Sequence, residues 1–523
     1  MHSVREGILD GTGADAAGLT LSTPPPHRRR DSSALAMKSS LPSPVETLRW
    51  LKHMAWPKNA PDSPRQQLRS TAYLDGLRGF AAFLVYVHHN ELWVHAATND
   101  EFPIFEKGYG VDGNYRFVTA PVIRTFFTGG HIAVATFYVI SGYVLSAKPL
   151  SQIHNGDYLK LYDSLASSFF RRWFRLWLPL IITTIIWVMS WHIFGYWVQC
   201  CKVKPTIGEE LWNWYVEMKN LSFLFKEGSQ IWVSFNTHLW SIPLEMRGSI
   251  ITFCACLSLA RATIKARLVC EVVLIIYFMY IVDGYYGALF ISGMLQCDLD
   301  QLARRSSEGN TYFPGFLRSL ENHKTTIFYT LFGLGMLIAG VPTDSQEIKN
   351  LRAAPGWYYL SFLKPQAVFD YKWFYLFFAA NMLVASIPRI RLLKAFFESR
   401  FCQFLGRISF SLYLVHGPLL GAVGDRIFHA VGWVRSFDDS DKMLVNWVNL
   451  FPLPKIGPMG LELAFLLPQI FFLPFTLWVA DVTTRAVDEP SVRFAAWLFK
   501  RIQGGTPPAP KQEESTLPLR RLA

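Results

Sequence analysis

One stretch of the chain combines a fixed cation, an apolar run and two imidazoles at helical spacing. In Tyr73-Leu74-Asp75-Gly76-Leu77-Arg78-Gly79 the Arg78 guanidinium precedes an apolar run that ends at Val87, and His88-His89-Asn90-Glu91 follows. Imidazole is the side chain whose ordinary pKa suits general-base work near neutral pH. Guanidinium offers a permanent planar charge suited to a phosphate or a developing oxyanion. Arg78 and His89 are eleven residues apart. On a helix that is three turns plus roughly 20°, so both share a face with about 16 Å of rise between them. His88 lies about 100° around the same helix. Ionisable groups in so apolar a segment belong on a face turned toward a bundle interior or a wet cavity. The plainer alternative is an arginine that snorkels to headgroups and histidines that end the helix.

Further polar residues interrupt apolar segments downstream. Ser141 and Gly142 lie in Phe137-Tyr138-Val139-Ile140-Ser141-Gly142-Tyr143, where small residues also permit close helix packing. Arg172 and Arg175 stand three apart at the polar entry to another apolar run. That spacing puts both on one helix face, able to hold phosphates or to anchor the run at a headgroup layer. Glu245 sits well inside an apolar segment with Arg247 two residues on. A carboxylate there must be paired or protonated, with a histidine, Arg247 or Arg78 as candidate partners. His416 is a lone imidazole in Ser411-Leu412-Tyr413-Leu414-Val415-His416, a pocket residue or a packed one. His95 and Asp100 fit an H-x4-D spacing by chance, since no companion phosphate-binding segment accompanies them. The sequence holds no G-x-S-x-G nucleophile elbow, no phosphate-binding glycine-rich loop and no spacing that announces a metal cluster.

The elements that must position these residues are membrane helices. Of 523 residues 51% are hydrophobic and 15% aromatic, while 17% are charged, against about 25% in soluble proteins. The expected fold class is all-α, a polytopic membrane protein of about ten transmembrane helices in one bundle. The predicted spans are 74–94, 124–147, 176–198, 237–260, 268–283, 285–302, 325–342, 373–388, 402–423 and 461–481. Residues 1–70 read as a disordered basic tail with a short interfacial helix near Val45–Trp56, and 502–523 as a second tail. With the amino terminus inside, the segments assigned to the cytosolic side hold 33 Lys and Arg and those assigned outside hold 14. That bias predicts both ends in the cytosol and accounts for the net charge of +12 by a membrane face rather than nucleic acid. The one sequon noted, Asn220-Leu221-Ser222, falls in a predicted outside loop. The seven cysteines imply no disulfide framework.

Taken together these motifs resemble the acyltransferase 3 family, membrane proteins that move acyl groups onto acceptor hydroxyls. Leu74-Asp75-Gly76-Leu77-Arg78-Gly79 with His89 beyond it resembles the family's R-x10-H signature. Phe137–Tyr143 is similar to F-F-x-x-S-G-F, although Ala133, Val134 and Ala135 stand where the family often has Gly-Val-Asp. Arg172-x-x-Arg175 resembles the cytoplasmic R-x-x-R, Leu239–Glu245 the L-W-S-x-x-x-E stretch, and Ser409–His416 the S-Y-S-L-Y-L-x-H signature. Asp488-Glu489-Pro490 leading to Arg501 is similar to the family's ending, so the resemblance covers 71–501. It implies a membrane O-acyltransferase with acyl-CoA as donor, acetyl by first expectation, and no metal. It implies Arg172 and Arg175 as donor-binding residues, His89 and Arg78 as catalytic ones, and Glu245, Ser141 and His416 as pocket residues. His89 would serve as general base or as a transient acyl carrier. The alternative from another class is a secondary transporter of a small polar solute, which internal repeats would favour; none is visible.

Overall fold

The computed structural model describes residues 68–95, 105–198, 203–225, 232–307, 312–435 and 440–503. Among these the regular structure is helical, with no strand. The principal helices are α1 (Ala72–His95), α2 (Gly130–Asn155), α3 (Tyr158–Phe194), α4 (Ser241–Ser258), α5 (Ile264–Tyr280) and α6 (Tyr285–Ser307). They continue as α7 (Lys324–Ala339), α8 (Tyr371–Ser386), α9 (Arg400–Leu419), α10 (Leu463–Thr483) and α11 (Glu489–Ile502). Each of the ten predicted apolar segments coincides with one of α1 to α10. The predicted interfacial helix near Val45–Trp56 lies outside the described residues.

Three helices are long and apolar enough to cross a membrane by length and composition: Gly130–Asn155, Tyr158–Phe194 and the 40-residue run Leu463–Ile502. A fourth candidate is the pair Tyr371–Arg389 and Arg391–Phe397, bent by 96°. The chain is thus built as a helical membrane protein. Helices α5, α7 and α8 are short, at 17, 16 and 16 residues. Helix α1 is longer, but Arg78, His88, His89, Asn90 and Glu91 dilute its hydropathy.

Several boundaries differ from expectation in ways that matter for the site. Helix α3 begins at Tyr158, so Arg172 and Arg175 lie well inside a 37-residue helix rather than at its entry. The fourth segment opens as a 3-10 turn, Thr237–Trp240, before α4 starts, with Pro243 in the first turn where its missing N–H costs nothing. The α5–α6 connection runs over 281–284, with Asp283 at φ 48°, so α5 ends three residues earlier than expected.

Helices α1 and α9 pack parallel and touch backbone to backbone. A Cβ on Gly79 would fall 2.1 Å from the Gly406 amide nitrogen, so only glycine allows this crossing. Ten residues further along each helix stand His89 and His416. Parallel helices in register bring both to the same depth, about 15 Å from the glycine contact. The spacing that looked like a property of α1 alone is shared by its neighbour.

Candidate active site

At the glycine end of α1 a cavity opens between α1, α2, α3, α4 and α9. Its polar lining includes Arg78, Arg172, Arg175, Glu245 and Ser141; Phe137, Leu176, Ile242 and Phe410 supply apolar walls. Arg172 is ion-paired with Glu245, and its Nε donates to Ser249 Oγ at 2.9 Å. Ser141 Oγ donates to the same Glu245 carboxylate at 2.6 Å. Glu245 therefore pairs with Arg172, not with Arg247 or Arg78; Arg247 donates instead to the Phe223 carbonyl at 3.2 Å. Arg78 Nη2 donates to the Gly406 carbonyl at 3.1 Å and to Asp75 Oδ1 at 3.3 Å. Arg175 has no hydrogen bond or ion pair with any described residue. Three guanidinium groups around one carboxylate make the lining electropositive, the requirement for holding a phosphorylated anion.

Ser141 and Gly142 divide the two roles the sequence allowed them. Ser141 faces the cavity, while Gly142 is the packing residue: a Cβ there would lie 1.9 Å from the Phe290 carbonyl oxygen of α6.

At the other end of α1 the site is a cluster of imidazoles. His89 Nδ1 and His416 Nε2 are 3.0 Å apart. His416 Nδ1 lies 2.8 Å from the Tyr413 carbonyl and 3.1 Å from that of Leu412. Carbonyls only accept, so His416 carries its proton on Nδ1 and offers a lone pair at Nε2. His89 must then donate from Nδ1, which leaves the lone pair on its Nε2. Two backbone carbonyls on α9 thus fix His89 as the tautomer a general base needs. His238 completes the cluster with its ring centroid 3.9 Å from that of His89 and 4.8 Å from that of His416. Its Nδ1 lies 3.2 Å from Asn236 Oδ1. Gly417 makes room, since a Cβ there would sit 2.3 Å from His238 Nδ1.

Tyr413 and Ser241 link the two ends. Both line the cavity, their hydroxyls are 2.7 Å apart, and the Tyr413 hydroxyl donates to the His238 carbonyl. The cavity roof is therefore one helical turn from His416.

The predicted residues thus fall into two groups. Arg78, Arg172, Arg175, Glu245 and Ser141 share the cavity, so Arg78 stands with Arg172 and Arg175. His89 and His416 meet at the far end. The sequence does not single out His238, although it directly precedes the Leu239–Glu245 stretch, because nothing in a linear chain says that this 3-10 turn abuts α9. Tyr413 was passed over for the same reason.

Beyond the cluster, His88 faces the other way, toward Glu106 and His131. His131 Nε2 and Glu106 Oε1 are 3.4 Å apart. Burial alone would raise the Glu106 carboxyl, but the His131 hydrogen bond and charge, helped by His88 and Lys372, outweigh it and bring it down to about 2. Among the described residues two groups can offer three ligand atoms within 4.8 Å of one another: His89, His238 and His416, and His88, Glu106 and His131. The first could serve as base or as ligand set; His89 Nδ1 and both His416 nitrogens are engaged with each other and with backbone carbonyls, while His89 Nε2 keeps its lone pair. His95, from the chance H-x4-D match, is buried against Glu462 with Nε2 3.1 Å from Oε1; Asp100 lies outside the described residues.

A family model described as an acyltransferase domain, number 3 of its kind, matches residues 71–485. The O-acetyltransferase PaAT-1 of Phomopsis amygdali is 28% identical over 477 residues, covering 84% of this chain and 86% of that protein. The acyltransferase R4 of a Phoma species is 22% identical over 451 residues, covering 74% and 91%. An acyltransferase of Cochliobolus lunatus is 22% identical over 426 residues, covering 70% and 86%. No solved structure matches the chain.

Proposed function

The chain belongs to the acyltransferase 3 family and is an acyltransferase, and on that premise we propose that it moves an acyl group, acetyl first, from acyl-CoA to an acceptor hydroxyl. The observation that carries the choice of donor is the cavity itself. It has three arginines, one of them, Arg175, with no hydrogen bond or ion pair to any described residue, beside apolar walls suited to an acyl-pantetheine arm. Coenzyme A is an anion with a pyrophosphate and a 3′-phosphate, and guanidinium forks match those oxygens bidentately. Arg175 makes the principal contact, with Arg172 and Arg78 alongside. In this reading residues 71–501 form one catalytic domain of ten spans, flanked by cytosolic tails at 1–70 and 502–523. The arginine cavity then opens to the cytosol.

At the reaction centre the acceptor hydroxyl gives its proton to His89 Nε2 as its oxygen attacks the thioester carbonyl. The C–S bond breaks, the ester forms, and the departing thiolate takes the proton from His89 to leave free coenzyme A. His416 is the positioning residue that holds the His89 tautomer. Arg78 and the cavity hydroxyls of Ser141, Ser241 and Tyr413 belong to the donor side.

The test is incubation of membranes carrying the chain with acetyl-CoA labelled in the acetyl group. Label appearing in a hydroxylated acceptor, and absent with His89→Ala, supports the proposal. Label that never leaves acetyl-CoA in the presence of a broad acceptor panel, while a longer acyl-CoA is consumed, overturns acetyl. Failure of every acyl-CoA overturns the donor.

A further inference from the structure

His88 is an odd neighbour for a catalytic histidine. It is 3% exposed, its ring centroid lies 5.1 Å from that of His89, and it plays no part in the tautomer chain. Its Nδ1 is buried with no hydrogen-bond partner among the described residues. A buried imidazole nitrogen left bare is costly unless something binds it. In the tautomer with its proton on Nε2, that bare atom offers a lone pair, as metal-ligating histidines do.

Two more donors converge on that side. The ligand atoms of His88, Glu106 and His131 all lie within 4.8 Å of one another, and the ring centroids of His88 and His131 are 5.4 Å apart. Gly130 permits this, since a Cβ there would stand 2.7 Å from His88 Cδ2. The nearby cations do not occupy the space between the donors. Lys372 Nζ is committed to Asp370 at 2.8 Å, and Arg124 donates to the backbone carbonyls of Glu106 and Lys107 at 3.1 Å each.

We propose that His88, Glu106 and His131 form a binding site for a divalent transition metal of the zinc type. Two imidazoles and one carboxylate are a borderline donor set, suited to Zn²⁺ or Co²⁺ and lacking the thiolates that select softer ions. Donors bound tetrahedrally at about 2.0–2.1 Å are about 3.3 Å apart, so the group closes by roughly 1.5 Å at most when loaded. A fourth position stays open to water. The ion ties the loop at Glu106 and the first turn of α2 to α1, one residue from His89, and so fixes the face from which His89 works. In the rival group of His89, His238 and His416 the uncommitted nitrogen, His89 Nε2, is the one the proposed reaction uses as base. This site does not depend on which acyl donor the enzyme uses.

Metal content of the purified full-length protein, loaded with Zn²⁺ and then freed of loose ion by gel filtration, is the direct measurement. Co²⁺ absorption on the stripped protein is its spectroscopic partner. The wild type and His416→Ala should each hold one ion per chain. His88→Ala and the isosteric Glu106→Gln should hold at least about tenfold less at the same free Zn²⁺ and lose the cobalt bands. Glu106→Gln keeps the shape of the loop, so loss of metal in a variant that still elutes as folded protein speaks for ligation. A wild type that holds no zinc and gives no cobalt spectrum overturns the site. So does an ion retained by His88→Ala and lost by His416→Ala.

Discussion

At the residue scale the chemistry rests on where protons and charges are already committed. His89 Nε2 keeps its lone pair because His416 accepts from Nδ1. His89→Ala should therefore lower turnover at least about a hundredfold, the lower range for a lost general base, in protein that still inserts. His416→Ala should cost less and should change the pH profile of kcat, because it frees the tautomer without removing the base; an unchanged profile would make His416 a packing residue. The arginines separate by the same logic. Arg175 is uncommitted, so Arg175→Ala should raise the KM for the donor tenfold or more, the equivalent of a charged hydrogen bond of about 1.5–3 kcal/mol. Arg172 is committed to Glu245, so Arg172→Ala leaves a carboxylate unpaired in the bundle, and the first loss should be folded protein, worth about 3–5 kcal/mol. Adding Glu245→Gln should restore the yield. If the pair of substitutions is no better than Arg172→Ala, the arginine matters for something other than Glu245. Most of these residues were legible in the sequence as polar interruptions of apolar runs. Their pairing was not: Arg247 and Arg78 stood as candidate partners for Glu245, and the fold chose Arg172.

At the element scale the site is set by one helix crossing. Helices α1 and α9 touch at Gly79 and Gly406, and ten residues on in each the paired histidines follow. Gly406→Val should overpack the contact by about 1–3 kcal/mol and, if the helices part instead of unfolding, should lower activity by widening the His89–His416 separation. Full activity in a stably folded Gly406→Val protein would show that the crossing does not set the site. Gly417→Ala is a gentler probe, because its Cβ meets the His238 ring and nothing else within 3 Å. It should reduce turnover with little change in thermal stability if His238 belongs to the reaction centre. Helices α1 to α10 could be read from the apolar segments, although among the described residues only three, or four with the bent pair, are long and apolar enough to cross a membrane. The 3-10 turn that delivers His238 and the loop that brings Glu106 to His88 could not, because each depends on contacts between distant parts of the chain.

At the scale of the whole molecule the proposed function has the two ends of α1 facing opposite sides of a membrane and meeting different reactants. The family assignment decides for an enzyme over a transporter, and an enzyme with an anionic donor must present its arginine cavity where that donor is found. Coenzyme A thioesters are charged and do not cross a bilayer unaided. The proposal therefore requires the Arg78 end of α1 inside and the His88–His89 end outward, the orientation that the 33-to-14 bias in Lys and Arg also predicts. Single cysteines placed at Ser40, Ser345 and Ser515, in a chain whose own exposed cysteines are replaced, read this directly. A membrane-impermeant maleimide should label Ser345→Cys in intact cells and the two terminal positions only after permeabilisation. The outcomes bear on more than topology. Labelling of Ser40→Cys in intact cells would put the arginine cavity on the side without acyl-CoA, and the donor assignment would fall with it. Labelling of Ser515→Cys together with Ser345→Cys, but not of Ser40→Cys, would mean an odd number of spans. It would leave α1 oriented as proposed and would place the error between Ser345 and Ser515.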